Sequence, residues 1–479
     1  MADRSAPENH PLEALATTES SSAMFDADGR PTRHLPMSHL VRMSLYWFGI
    51  STVWSGIIDI VNGRLQFTGL VPKGGEGVGA FQIALAGTFI AIGVQPIVGT
   101  ISDYTITRWG RRKPYIFIGS TLDLLFLWGV ASSNAIPAIA AFVALLQFSS
   151  NFSQGPFQGY VPDLVPARQV GVASGLIGLF QALGNIFGYA VAALAVALSS
   201  TNPNSFFIGT MVLGLVEFLT MLSVVVHVDE GRRFKPRNGR SWWSILRETW
   251  ARDLLQERSF VWLVGSRFFV LVGAAFYPGF STFYLAQSFG LNSDQTGEVK
   301  LILLAVVAVC VAVSVMPASR ISDRVGRKKV IYVSCAMGAV GLLMGALSPI
   351  IPITLVGAAI FAVSAGSFLA VDWALMSEIV PKAATGRFMG ISNVATACAG
   401  TFALAIGAAG VMDTVNGWLG YGAGPRAAFA FGALCYVVGA VMLMPVIERR
   451  RDAEPSEPSE PGAPAEPSEP AGVSEPIPA

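Results

Sequence analysis

Charge is scarce in this chain: Asp, Glu, Lys and Arg make up only 13% of 479 residues, about half the share usual in a soluble domain. Cysteine is also scarce, and Cys310, Cys335, Cys398 and Cys435 all fall inside apolar segments, so no disulfide framework is indicated. The four histidines (His10, His34, His39 and His227) are scattered and lack metal-ligand spacing. No Ser/His/Asp set, Gly-Lys-Ser phosphate loop or nucleotide fingerprint occurs. These absences argue against an enzyme, a metal site, a bound cofactor and ATP-driven pumping. A net charge of +1, with most basic residues gathered into loops, gives no indication of nucleic-acid binding. Residues 1–38 are polar and contain no apolar signal-peptide core.

What remains is hydrophobic. Residues of that class make up 52% of the chain, and the mean hydropathy is +0.55. The apolar runs are Gly-rich and reach the ~20 residues that a membrane-spanning helix needs. Twelve spans are predicted. Six lie near 39–62, 77–102, 115–133, 136–161, 170–198 and 206–227. The other six lie near 259–287, 298–318, 329–348, 352–379, 388–411 and 426–447. The expected fold is an all-α integral membrane protein, with bundles at 39–228 and 259–448. The 229–258 linker, basic and carrying Trp242, Trp243 and Trp250, reads as an amphipathic interfacial helix. Residues 1–38 and the Pro/Glu/Ser tail at 449–479 are expected to be disordered.

Basic residues cluster at 108–113, 232–240, 320–329 and 449–451, whereas loops 131–136, 199–205 and 347–351 have none. By the positive-inside rule both termini are cytoplasmic, in an inner or plasma membrane. Two of these loops are near-copies: Ile101-Ser102-Asp103 leads to Gly110-Arg111-Arg112-Lys113, and Ile321-Ser322-Asp323-Arg324 to Gly326-Arg327-Lys328-Lys329. A second pair, Asp163-Leu-Val-Pro166 and Glu378-Ile-Val-Pro381, repeats at an offset of 215 residues. Parallel repeats in this order predict two six-helix halves related by a pseudo-two-fold axis along the membrane normal.

These loops resemble the Gly-x-x-x-Asp-Arg-x-Gly-Arg-Arg loops of the major facilitator superfamily, with Ser319 in place of the leading glycine of the second. The first is longer, with Tyr104 to Trp109 ahead of Gly110. That form, together with Gln154-Gly155-Pro156 and the run Ala182 to Tyr189, is similar to the glycoside–pentoside–hexuronide and sucrose-transporter branch. The resemblance implies the major facilitator fold, rocker-switch alternating access, a sugar substrate, a coupling proton or other ion, and a monomer in the lipid bilayer. It also implies that each loop aspartate caps a neighbouring helix while the arginines meet the next carboxylate. The gating set is then Asp103, Gly110, Arg111, Arg112, Asp163 and Arg168 in the first half, and Asp323, Arg324, Gly326, Arg327 and Glu378 in the second. Plant sucrose transporters carry an acidic residue where Gln147 stands here, and glutamine cannot titrate, so proton coupling requires another group.

Charge within apolar runs is costly and is kept for a pathway or a partner. Asp59, Arg267 and Asp372 lie on spans one, seven and ten, which the resemblance places around the central cavity; Asp123 and Glu217 lie on peripheral spans and read as structural. Arg267 and Asp372 each stand about eight residues, or roughly 12 Å, from the cytoplasmic ends of their helices, so they can pair. Asp372 is then the expected coupling carboxylate. A sugar needs flat apolar faces and amides, and Trp54, Gln147, Asn151, Gln154, Tyr277 and Trp373 supply both. The rival expectations are a proton-coupled exporter of a hydrophobic compound, and a transport-inactive membrane sensor or assembly factor.

Overall fold

The computed structural model describes residues 32, 34–105, 107–230, 241, 258–379, 396 and 398–446. The 1–31 tail, most of the expected 229–258 linker, the second carboxylate motif beyond Ile379 and the tail from 447 lie outside them. The first half contains α1 (Met37–Phe67), α2 (Glu76–Asp103), α3 (Lys113–Ser132), α4 (Ile136–Gln158), α5 (Val170–Ala197) and α6 (Ser205–His227). The second contains α7 (Arg258–Phe283), α8 (Ser293–Val325), α9 (Arg327–Leu347), α10 (Ile351–Ile379), α11 (Cys398–Leu419) and α12 (Ala423–Met442). Eleven of these are long and apolar enough to cross a membrane among the described residues; α2 is the twelfth long helix.

The repeat seen in the sequence reappears in the packing. In the first half α1 packs on α6, α2 on α4, and α3 on both α4 and α6. The second half repeats each pairing six helices later: α7 on α12, α8 on α10, and α9 on α10 and α12. Between the halves α2 meets α11 and α5 meets α8, the same contact exchanged by the pseudo-two-fold, while α1 meets α7 across the axis. Apolar side chains such as Leu125, Leu215, Val309 and Val313 remain exposed on outer helix faces, as expected of surfaces that face lipid.

Small residues bring α1 and α5 together. A Cβ on Gly184 would stand 2.4 Å from the Phe48 carbonyl, and one on Gly188 2.3 Å from the Thr52 carbonyl. Thr52 Oγ1 in turn donates to the Gly184 carbonyl at 3.2 Å. In lipid, where apolar surface alone does not drive helices together, such backbone approach is the usual source of association.

Three helices overrun their expected limits, and α11 does so by running eight residues past 411 to Leu419. α1 continues through Asn62-Gly63-Arg64 because Arg64 is not solvated but ties off α3, with Nη1 donating to the Val130 carbonyl at 2.7 Å. α8 starts from a capping box between Asn292 and Gln295 and runs to Val325, so Asp323 and Arg324 lie on its last turn and not in a loop. Gly326, at φ +100°, turns the chain directly into α9.

Candidate functional site

The basic loop between α2 and α3 folds around carboxylates. Arg111 and Arg112 both pair with Asp163, at 2.6 Å for Arg112. Arg112 also binds Asp103 at 2.7 Å and donates to the Pro156 carbonyl at 2.6 Å. It reaches them over Gly159, where a Cβ would stand 1.2 Å from its Nη1. Among the described residues Asp103 holds an arginine where a helix cap was expected. The cap of α3 comes from Glu230, just beyond α6, whose carboxylate accepts the backbone N–H groups of Arg111, Arg112 and Lys113 at 2.7–2.8 Å and the Tyr160 hydroxyl. Three N–H groups at a helix start favour an anion. Gly110 is required twice over: its φ is +116°, and a Cβ would lie 2.6 Å from Glu230 Oε2.

The second copy is looser. Asp323 is 4.0 Å from Arg327, one helical turn on, and 66% of its side chain is exposed. Arg324 is exposed, as is Arg168 in the first half. The side chains of Glu378 and Trp373 lie outside the described residues. Lys328 donates to the Met444 and Val446 carbonyls at 2.8 Å and ties α9 to the end of α12.

A narrow pocket of about 50 Å³ lies between the halves. Its walls come from α1, α2, α4 and α11, not from spans one, four, seven and ten as expected. Trp54 and Gln147 both line it, joined by Asn62 and Thr401, among aliphatic residues such as Ile57, Ile83 and Leu404. None of the lining residues is charged. Trp54 Nε1 donates to Ser150 Oγ at 3.0 Å, which fixes the indole plane, and Gln154 donates to the same oxygen at 2.9 Å. Asn151 turns back to the Gln147 carbonyl at 2.7 Å and is absent from the lining. Tyr277 faces its own half, stacked on Phe361 with ring centroids 4.8 Å apart.

Arg267 and Asp372 are joined in an ion pair, each side chain 3% exposed, with Arg267 also 3.2–3.3 Å from Thr396 Oγ1. Both belong to the second half. At the membrane face opposite the basic loops, by contrast, bonds cross between the halves. Asp59 pairs there with Lys300 of α8, a residue the sequence reading did not single out. Asn62 donates to the Gly279 carbonyl at 2.8 Å, and Gln287 to Gln66 at 2.9 Å. Asp413 accepts the Gly77 and Val78 amides at 3.0 and 2.6 Å and so caps α2 from the other half. Tyr421 donates to Glu76 at 3.0 Å; burial, and then the charge of Glu76 beside it, push its pKa up to about 12, so it stays a donor. Lys300 could have been found as the lone cation of the predicted span 298–318, and Glu230 as one of two adjacent carboxylates at the head of the linker.

The sequence model of the Major Facilitator Superfamily matches residues 40–296 and 262–475, and the chain belongs to this superfamily. It is a multi-pass membrane protein of the major facilitator transporter type, in a branch similar to sucrose transporters. Sucrose transport protein SUC4 of Arabidopsis thaliana is 30% identical over 200 residues, 38% of each chain. The Membrane-associated transporter protein of Homo sapiens is 28% identical over 189 residues, 36% of this chain and 34% of that one. The chain thus spans roughly a third of the length of the curated relatives it matches. Among solved structures, a D-xylose-proton symporter superposes with a TM-score of 0.62 at 17% identity, covering 85% of this chain and 97% of that one. The nucleoside transporter NupG gives 0.60 at 14% identity, over 86% and 100%. At such identities the likeness is one of fold.

Proposed function

We propose that this protein is a secondary active transporter that moves a neutral polar solute, a glycoside or disaccharide, by alternating access of its two halves, in symport with protons. The observation that carries the reading is the pocket between the halves, where the Trp54 ring and the amides of Gln147 and Asn62 lie together with no charged lining residue. An indole face suits the C–H surface of a sugar ring, and amides suit its hydroxyls. An ionised substrate would lose its hydration there without a counter-charge, at a cost of several kcal/mol. At about 50 Å³ the pocket takes waters, not a sugar, so binding requires the halves to move. The partial likeness to sucrose transport proteins supports the substrate class.

Asp372 is the coupling carboxylate in this reading, and Arg267 is the cation that competes with the proton for it. The bundles at 39–228 and 259–448 move as rigid halves about the 229–258 linker in a monomer, with both termini in the cytoplasm and the basic loops on that side. The test is uptake of labelled sucrose, maltose and trehalose into proteoliposomes, with and without an inward proton gradient. Accumulation that a protonophore abolishes, and that Trp54→Ala or Gln147→Ala weakens, is expected. Lack of uptake of all three by folded protein would reject the sugar reading. The aliphatic walls of Ile57, Ile83 and Leu404 then favour the second reading, export of a hydrophobic compound.

A further inference from the structure

A lysine inside a membrane span is costly unless something holds its charge. Lys300 stands on the second turn of α8 and is 7% exposed. Its ammonium contacts both carboxylate oxygens of Asp59 on α1, which is 1% exposed, and donates to Thr282 Oγ1 on α7 at 2.6 Å. Thr282 in turn donates to Asp59 Oδ1 at 2.8 Å. One charge of this triangle belongs to the first half, while the other charge and the hydroxyl belong to the second. α8 is pressed against α5 one turn earlier, where a Cβ on Gly297 would lie 2.4 Å from that of Ala197. The pair is therefore sealed by direct helix contact.

We propose that Lys300 is a gating residue for transport, forming with Asp59 the lock of the face opposite the basic loops. Among the described residues this is the one ion pair between two buried side chains that joins the halves. The other polar links described across that face are hydrogen bonds, some of them to the carboxylates of Asp413 and Glu76, and none of them joins two opposite charges. An intact pair favours the closed face, since each charge satisfies the other. With one partner removed, the attraction across the face is lost and the survivor is an unpaired charge in a dry interface, relieved by parting the halves and admitting water or, for Asp59, by taking up a proton. Removing both charges, or exchanging them, leaves no such penalty. The inference rests on alternating access but not on any substrate, so its test needs none.

The test uses Gly279→Cys as a reporter, with Cys310, Cys335, Cys398 and Cys435 replaced. Gly279 lies at this interface, and no atom stands within 4 Å of an added Cβ. In proteoliposomes of known orientation, a membrane-impermeant maleimide is applied to the locked face. Asp59→Asn and Lys300→Gln alone should each speed labelling about tenfold or more. The double variant Asp59→Asn/Lys300→Gln and the exchange Asp59→Lys/Lys300→Asp should label at close to the parent rate. Single variants that are monodisperse and label at the parent rate would overturn the lock. If the singles do not fold, fast labelling of the exchanged pair overturns it equally, since attraction would then not hold the face closed. A second reporter, Gln154→Cys, separates this inference from the reading beneath it. Faster labelling at Gly279→Cys without slower labelling at Gln154→Cys from the other side upholds the lock and counts against alternation.

Discussion

Replacing Glu230 with Gln should unfasten the start of α3 and weaken the first half. The carboxylate accepts two donors at each oxygen: Arg111 N and Arg112 N at Oε2, Lys113 N and the Tyr160 hydroxyl at Oε1. Glutamine keeps one acceptor oxygen and turns an N–H₂ toward the other pair of donors, so two bonds are lost. Hydrogen bonds to a charged group contribute about 1.5–3 kcal/mol each, and the negative charge at the helix start adds roughly 0.3–1 kcal/mol. The expected loss is about 3–7 kcal/mol, larger than that of an ordinary N-cap. If the first half melts as a unit, the scaling for domains of 150–250 residues turns this into a fall in midpoint of roughly 6–28 °C. The assay is the monodisperse fraction remaining after a heating series in detergent, with exposed Glu298→Gln on α8 as control. A Glu230→Gln protein that melts with its parent and the control would refute the capping argument, because among the described residues it is Glu230 that accepts these three amides.

Three further outcomes follow from the same geometry. Asp372→Asn should abolish proton-driven accumulation while leaving substrate exchange across equal concentrations; continued accumulation against the gradient would remove Asp372 from the coupling step. Arg267→Met alone leaves Asp372 as an unpaired buried charge and should cost ~3–5 kcal/mol, whereas Arg267→Met/Asp372→Leu should recover most of that loss. Equal melting of the single and double variants would show that the pair is not electrostatically linked. Gly159→Ala should displace Arg112 from Asp103 and the Pro156 carbonyl, since the backbone there accepts alanine but the guanidinium occupies its place. A lowered melting temperature that Arg112→Ala fails to deepen is the expected signature, and additive losses would contradict it.

The span pattern was legible because a helix in lipid must be apolar over ~20 residues whatever it later does. Helix ends were harder to read. Asn62 to Arg64 and Ser319 to Arg324 look like loop in composition, yet their polar groups are satisfied by a neighbouring helix end or lie in the wet last turn. The meeting of Arg267 with Asp372 followed from their matching depth on two spans that the resemblance places around one cavity, since two opposite charges at equal height there have few other partners. Asp59 stood out as a buried charge, but its partner did not, because Lys300 lies near a span's start where lysines commonly reach water. Aromatic residues divided for a reason that sequence does not carry: Trp54 faces the seam between halves, while Tyr277, as apolar as it, stacks within its own half.

The ion pairs differ in kind at the two faces. Around the first basic loop, Arg111, Arg112, Asp103 and Asp163 all belong to one half and Glu230 stands two residues beyond its end, so none of these bonds reaches the other half. At the opposite face, Asp59 with Lys300 and Asp413 with the start of α2 join one half to the other and must break when that face opens. The structure is therefore closed at the Asp59 face, and the bonds of the basic cluster tie the ends of α2, α3 and α4 to one another. A rocker switch needs both properties: halves stiff enough to move as bodies, and a seam whose bonds can be exchanged for water. On this argument neutralising Arg112 loosens the first half without favouring either face, whereas neutralising Lys300 favours one face and leaves the halves intact.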